Sequence, residues 1–186
     1  MRRLPCHMLS VCLLLSHAAA PSRATAQRHS TALSEPEEEA VRDAAADPAA
    51  RVSVYQGIVE ARIKRLQAIL MDKRAQGRRD DIRENMDQIA GIVDEFEDNL
   101  EEYDGVHRDL RKPLPKLIDA AVRWESVLKQ PPDDDSYNIV RRLALEAVAD
   151  VKAQATEMLP AQVAYFKAHP PSKTANPGGV GLIPNE

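Results

Sequence analysis

Apolar residues recur at steps of three and four along most of the chain, which places them on one face of an α-helix. The most regular stretch keeps an unbroken 4-3-4-3-4-3 spacing over Ile82, Met86, Ile89, Val93, Phe96, Leu100 and Tyr103. A period of 3.5 residues is typical of a coiled-coil-like seam against a neighbouring helix. The pattern therefore predicts a long amphipathic helix in this part of the chain.

A first helical block precedes this stretch. It begins at Asp47-Pro48, a capping carboxylate followed by proline at the first helical position, and is expected to run to about Gln76, with Gly77 as its stop. Its apolar stripe is Val52, Tyr55, Val59, Ile63, Leu66 and Leu70. Asp80 or Asp81 then caps the second block. Because only a few residues separate the two blocks, we expect an antiparallel hairpin.

Two further blocks follow. Pro113 and Pro115 begin the third, and Pro131-Pro132 end it. Its inner face is predicted to be Leu114, Leu117, Ile118, Ala121, Trp124 and Leu128. N-caps for the fourth block lie between Asp133 and Ser136. Its predicted apolar positions are Ile139, Val140, Leu143, Ala147, Val151, Met158 and Leu159, and Pro160 is expected to kink or break it, with Val163, Tyr165 and Phe166 on a short extension beyond.

These blocks predict an all-α fold, an antiparallel up-down bundle of about four helices. A three-helix arrangement or an elongated pair of hairpins are the alternatives. Composition agrees, because the 186 residues include only 7 Gly and 4% aromatic residues. Sandwiches and barrels need glycine-rich turns and β-branched or aromatic strands, so an all-β fold is excluded.

The N-terminal residues are typical of a secretory signal peptide. Arg2 and Arg3 precede an apolar stretch from Leu4 to Leu15, and small residues follow. Cleavage is expected after Ala26, with Ala20 as the second choice. The apolar run is shorter than a bilayer span needs, and no later segment is apolar enough to span. We therefore expect a periplasmic or secreted protein without a transmembrane segment after cleavage.

The expected domain organisation follows from these segments. Residues 1–26 form the cleaved signal peptide, 27–46 a flexible leader, 47–168 the helical bundle and 169–186 a disordered tail rich in Pro and Gly. Both cysteines, Cys6 and Cys12, lie in the signal peptide. Disulfides, thiolate catalysis and cysteine-ligated metals are thus excluded for the exported chain.

No catalytic or cofactor motif is present at helical or loop spacing, which predicts a non-enzymatic protein without a cofactor. The formal charge of -4 gives no basic footprint for nucleic acid. His107, at a helix junction, is interpreted as an exposed or capping histidine. Trp124 is interpreted as a core anchor, and Met86 and Met158 as core filling.

An acidic run on the second helix is the candidate partner-binding surface. It comprises Asp94, Glu95, Glu97, Asp98, Glu101, Glu102 and Asp104, and Glu95 is left out of the candidate set. Such carboxylates repel one another and oppose the helix dipole near a C-terminus. A solvated face neutralised by the basic residues that follow is one explanation, and a hard-cation site or a basic partner is the other. Those basic residues are Arg108, Arg111, Lys112 and Lys116.

A basic cluster surrounds the first hairpin turn, at Lys73, Arg74, Arg78 and Arg79. The predicted topology places the acidic loop of Asp133, Asp134 and Asp135 at the same end of the bundle. Mutual attraction of the two loops is therefore expected, and binding of an anionic lipid surface or polymer is the alternative.

Two functional hypotheses follow. The first is an exported scaffold, adaptor or chaperone-like bundle that acts by protein–protein interaction with a partner in the cell envelope. The second is a periplasmic carrier that binds a small ligand or a metal ion in the bundle interior or at the acidic run. The seam of the second helix can serve within one bundle or join two copies of the chain as a homodimer.

Overall fold

The structure, a computed structural model, describes residues 32–74 and 76–170. Every regular element in these residues is helical, which confirms the all-α class. The helices are α1 (Glu35–Asp43), α2 (Pro48–Met71), α3 (Arg78–Gly105), α4 (Leu114–Leu128) and α5 (Asn138–Ala168), with a 3-10 turn at Ala44–Ala46. Among these described helices, none has the length and apolar character needed to cross a bilayer.

The start of α2 follows the predicted capping chemistry. Asp47 has extended backbone angles, and its Oδ1 accepts hydrogen bonds from the backbone N–H groups of Ala49 (3.0 Å) and Ala50 (3.2 Å). These two donors would otherwise lack partners in the first helical turn. Pro48 occupies the first position, where a missing N–H has no cost.

The end of α2 differs from the prediction. The helix ends at Met71 rather than near Gln76. The Arg78 guanidinium donates hydrogen bonds to the carbonyl oxygens of Ile69 (3.0 Å) and Leu70 (3.1 Å). Since the last carbonyls of a helix have no intrahelical donors, this arginine caps α2 from outside and allows the earlier end.

The start of α3 also corrects the prediction. Gly77 was expected as the stop of the first helix, but it directly precedes α3 with φ 74°, a left-handed conformation that favours glycine. Asp80 and Asp81 were expected as caps and instead lie in the first turn of α3. Carboxylates in that turn interact favourably with the positive end of the helix dipole.

The regular seam of α3 is buried as predicted. Its apolar residues from Ile82 to Leu100 are no more than 2% exposed, and Tyr103 is 6% exposed. α2 packs against it in the opposite direction, with the rings of Tyr55 and Phe96 stacked at 5.1 Å between centroids. Asn85 donates a hydrogen bond from Nδ2 to the carbonyl oxygen of Arg62 at 2.9 Å. The predicted antiparallel hairpin is therefore confirmed.

The helix directions alternate, but the order of helices around the bundle is not sequential. α3 packs mainly on α2 and α5, while α4 packs on α5 and less extensively on α2. α3 and α5 run parallel, because Arg79 meets Asp134 at one end and Gln162 meets the residues that follow α3 at the other. The connection from α3 to α4 therefore crosses the bundle.

α5 continues through its proline. The helix runs from Asn138 to Ala168 with Pro160 inside, so the expected break is absent and the extension that follows is part of α5. Proline removes one backbone donor from such a helix. The alanines on the buried face of α5 allow close packing on its neighbours. That face comprises Ala144, Ala147, Val148, Val151, Ala155, Met158 and Gln162.

The described part of the expected flexible leader contains a helix, α1. Ser34 donates hydrogen bonds from its backbone N and Oγ to the Glu37 carboxylate, both at 2.8 Å, at the start of α1. Arg62 of α2 holds the same carboxylate through two nitrogens, at 2.8 and 2.7 Å. Val41 is buried beneath the helix. The charge-assisted hydrogen bonds between Arg62 and Glu37, together with the burial of Val41, thus hold a segment whose composition is mostly polar.

Other predictions fall outside the described residues. The signal peptide over 1–26, the first part of the leader and the tail from residue 171 all lie there. The described chain therefore consists of the α1 segment and the four-helix bundle formed by α2 to α5.

Candidate functional site

The acidic run of α3 divides into two strips. Glu97 and Asp104 are partly buried, whereas the other candidate carboxylates are exposed, namely Asp94, Asp98, Glu101 and Glu102. Residues spaced 3-4-3 share one side of a helix, so Asp94, Glu97, Glu101 and Asp104 form one strip along α3. Glu97, Glu101 and Asp104 of this strip lie beside α5. Asp98 and Glu102 lie on the neighbouring solvent-facing strip. The structure thus brings three of the six candidates, Glu97, Glu101 and Asp104, to the boundary between α3 and α5.

A surface groove of about 420 Å³ lies at this boundary. Its lining residues are Glu101, Asp104, Gly105, Gln154, Glu157, Met158 and Ala161. Gln154 of α5 donates a long hydrogen bond from Nε2 to the carbonyl oxygen of Glu97 at 3.4 Å, which extends the boundary by one helical turn. We name this surface the acidic groove and define it by Glu97, Glu101, Asp104, Asp150 and Glu157.

Carboxylates from two helices repel one another in the acidic groove. Burial raises the pKa of Glu97, and the charges of Asp150, Asp94, Asp98 and Glu101 raise it further. Asp150 lies on α5, so the second helix adds negative charge to the run rather than neutralising it. Like charges that are held together in the folded protein favour a protonated carboxyl or a cationic partner.

Arg111, one of the basic residues that follow α3, pairs with Asp109 and not with the groove. Arg111 donates to both Asp109 oxygens, at 2.9 and 2.6 Å, and its guanidinium lies 4.6 Å from the centroid of the Phe166 ring. The hydrogen bonds from the Arg111 side chain hold the pKa of Asp109 below its usual value. Within the described chain, no lysine or arginine forms an ion pair with Glu97, Glu101 or Asp104. Direct ion pairs between the basic segment and these three carboxylates are therefore not formed within the described chain.

The geometry of the groove is not that of a metal site. No group of three or more His, Cys, Asp or Glu side chains in 32–74 and 76–170 is arranged to hold a metal ion. Hard cations need several oxygen ligands converging on one point, and the groove instead spreads its carboxylates along two parallel helices. Such a linear arrangement suits an extended cationic partner better than a point charge.

At the opposite end of the bundle, an ion pair joins the first hairpin turn to the acidic loop. Arg79 forms an ion pair with Asp134 at 2.9 Å, and Arg141 forms one with Asp133. Hydrogen bonds from Ser136, followed by the charge of Arg79, hold the pKa of Asp134 below its usual value. The predicted attraction between the hairpin turn and the acidic loop is confirmed.

The single tryptophan is a core residue, as predicted. Trp124 is fully buried, and its Nε1 donates a hydrogen bond to Glu60 of α2 at 2.8 Å. The core filling expected of Met86 and Met158 is likewise confirmed, since they are 0% and 5% exposed.

The predicted exposure of His107 is confirmed, but its stacking was not foreseen. The ring stacks on Tyr165 at 4.1 Å between centroids, and His169 stacks on the same tyrosine at 4.4 Å. His107 also has a positive φ of 53°, which is uncommon for a residue other than glycine. His107 and Tyr165 lie more than fifty positions apart in the chain, so the sequence around His107 carries no signal for their contact.

Two of the predicted apolar positions of α5 are exposed. Ile139 is 64% exposed and Leu143 is 42% exposed. The buried face of α5 is centred on Ala144, Val151 and Ala155, which rotates Ile139 and Leu143 to its outer edge. The outer edge is shared with Asp150 and Glu157 of the acidic groove.

Comparison of the chain with protein-family models, with curated proteins and with solved structures finds no match in any of the three.

Sequence reasoning missed Asp150 and Glu157. The two residues are seven positions apart on one face of α5, and this spacing is visible in the sequence. What the sequence does not contain is the parallel packing of α5 on α3. Without knowledge of this packing, only the carboxylates of α3 could be assigned to the acidic surface.

Proposed function

We propose that this protein is an exported, non-enzymatic helical bundle that acts by protein–protein interaction through the acidic groove. The observation that carries this proposal is the meeting of carboxylates from α3 and α5 at one surface, with burial and like charges raising the pKa of Glu97. A cationic partner relieves this repulsion when it binds, and electrostatic complementarity of this kind gives speed and specificity to association.

The interior of the bundle supports a structural rather than a catalytic role. The two buried polar side chains of the described chain are Asn85 and Gln162. Both donate hydrogen bonds to backbone carbonyls of neighbouring segments. Polar groups used in this way hold elements together, whereas catalysis needs polar groups that converge on a substrate.

Export is proposed from the N-terminal sequence. The charged start, the short apolar core and the small residues before Gln27 are typical of a cleavable signal peptide. We place the partner in the same compartment, the bacterial periplasm or the medium outside the cell. Detection of a mature N-terminus at Gln27 by mass spectrometry tests this part of the proposal.

A charge-reversal experiment tests the acidic groove. We expect the double variant Glu97→Lys/Glu101→Lys to lose the partner that the unchanged protein captures by chemical crosslinking in its own cells. The matched control is Glu38→Lys/Glu39→Lys, which makes the same charge change on exposed positions of α1. Both variants need the melting temperature and helical content of the parent. Equal capture by the parent and both variants would exclude the groove as the interaction surface.

A further inference from the structure

The outer edge of α5 changes character along its length. Ile139 and Leu143 present exposed apolar side chains one helical turn apart. Asp150 and Glu157, both exposed, continue the same edge towards the C-terminal end. From Ile139 to Glu157 the edge spans about 27 Å at the rise of an α-helix. One continuous surface thus has an apolar part followed by an acidic part.

We propose that this edge, together with the acidic groove, docks one segment of a partner protein that carries apolar anchors at one end and lysine or arginine along the other. Ile139 and Leu143 receive the anchors, and the carboxylates of α3 and α5 receive the cations. The inference rests on the proposed function, because it assumes a protein partner at the groove and specifies the chemistry of that partner.

Charge decides between the occupants of this edge. A second copy of the chain docked through the same edge would bring Ile139, Leu143, Asp150 and Glu157, none of which is a cation that could pair with the carboxylates. An anionic lipid surface is repelled by the carboxylates. A cationic segment is attracted along the whole acidic part, where no lysine or arginine of the described chain forms an ion pair with Glu97, Glu101 or Asp104.

The apolar part adds what charge alone does not supply. Carboxylates in a row attract any cation, but they do not set the position of a partner along the row. Apolar anchors that fit beside Ile139 and Leu143 fix this register, as anchors do when a helix lies in a groove. We therefore expect both parts of the edge to contribute to binding.

Synthetic peptides and the full chain test this directly. The probe is a peptide of about 18 residues, the length that covers 27 Å as a helix, with two leucines near one end and lysines on the same face beyond them. Titration calorimetry is expected to show binding that weakens as salt increases. A peptide with serine in place of leucine, and one with glutamate in place of lysine, are both expected to bind at least about tenfold more weakly.

Protein variants locate the binding surface. Ile139→Ser/Leu143→Ser is expected to weaken binding of the leucine–lysine peptide about tenfold, and Glu101→Lys to weaken it by a similar factor. Val122→Ser on α4 is the control, because Val122 is 54% exposed and lies outside the groove. This control is expected to bind like the parent. The substituted apolar residues are exposed, so the variants should keep the parent fold.

Several results would overturn the inference. These are no binding of the leucine–lysine peptide, equal binding of the serine peptide, or an equal loss in the Val122→Ser control. A dimer in sedimentation that depends on Leu143, or vesicle binding that depends on it, would assign the edge to a different occupant. If Ile139→Ser/Leu143→Ser keeps the cellular partner while Glu97→Lys/Glu101→Lys loses it, the proposed function stands and this inference fails.

Discussion

Glu97 links the electrostatics of the groove to the stability of the fold. Its raised pKa means that the folded protein binds a proton on this carboxyl more tightly than the unfolded chain does. The corresponding stabilisation is fully present below the usual glutamate pKa and is lost as pH rises through the raised folded-state value. At neutral pH, the charged form of Glu97 therefore opposes folding.

The variant Glu97→Gln is expected to be more stable than the parent at pH 7, by about 0.5 kcal/mol, because it removes like-charge pairs worth a few tenths each. This corresponds to a melting temperature about 1–2 °C higher. The difference should vanish below about pH 4, where Glu97 is protonated in both states. Thermal melts from pH 3 to pH 8 measure it. A gain that is constant over this range would assign the effect to packing.

The buried and acidic positions of α3 could be predicted from the sequence, but the residues of other helices that lie beside them could not. The buried seam from Ile82 to Tyr103 follows from its spacing, and the acidic run follows from composition. The contribution of Asp150 depends on which helix lies beside α3, and that is decided by contacts between distant parts of the chain. The exposure of Leu143 has the same origin, since it depends on how α5 rotates on its neighbours.

At the scale of the elements, two helical glycines have opposite surroundings. A Cβ added at Gly57 of α2 would meet no atom within 4 Å, whereas one at Gly91 of α3 would lie 3.1 Å from the Cβ of Ala32. The segment before α1 therefore packs closely on α3 at a position that has no side chain. This close approach and the hydrogen bonds from Arg62 to Glu37 hold the α1 segment against the bundle, and neither is visible in the local sequence.

We expect Gly57→Ala to stabilise the protein by about 0.5–1 kcal/mol, because alanine loses less backbone entropy in a helix. Gly91→Ala gains the same term but pushes Ala32 away, so its net gain should be smaller. Amide hydrogen exchange in α1 should accelerate in Gly91→Ala and stay unchanged in Gly57→Ala. Equal stabilisation with unchanged exchange in both variants would show that the segment does not pack on α3 as described.

At the scale of the whole molecule, the order of the helices is the feature that the sequence left open. The apolar stripes identify which residues are buried, but one stripe packs equally well on several neighbours. Two contacts join the ends of the parallel pair α3 and α5. One is the ion pair of Arg79 and Asp134, and the other is the hydrogen bonding of Gln162 to the segment after α3.

The ion pair is expected to contribute little to stability. The Arg79 side chain is 76% exposed, and exposed pairs have small net free energies. Arg79→Ala should change the free energy of unfolding by less than about 0.5 kcal/mol, which a urea titration can measure. A loss above about 1 kcal/mol would show that this end of the bundle holds the helix order.

Gln162 makes the stronger connection. It is 4% exposed, its Oε1 accepts from the Leu110 N–H at 2.8 Å, and its Nε2 donates to the Arg108 carbonyl at 3.0 Å. Gln162→Leu leaves a buried N–H and a carbonyl without these partners, and the expected loss is about 2 kcal/mol of unfolding free energy.

Gln154→Leu, on the same helix, is the matched control for Gln162→Leu. Its single hydrogen bond is long, at 3.4 Å, and its Oε1 has no partner in the described chain, so a loss below about 0.5 kcal/mol is expected. Urea titrations of the two variants decide between two origins of the helix order. A large loss confined to Gln162→Leu shows that buried hydrogen bonds hold the crossing connection against α5. Equal losses in the two variants would instead assign the order to apolar packing between α3 and α5 alone.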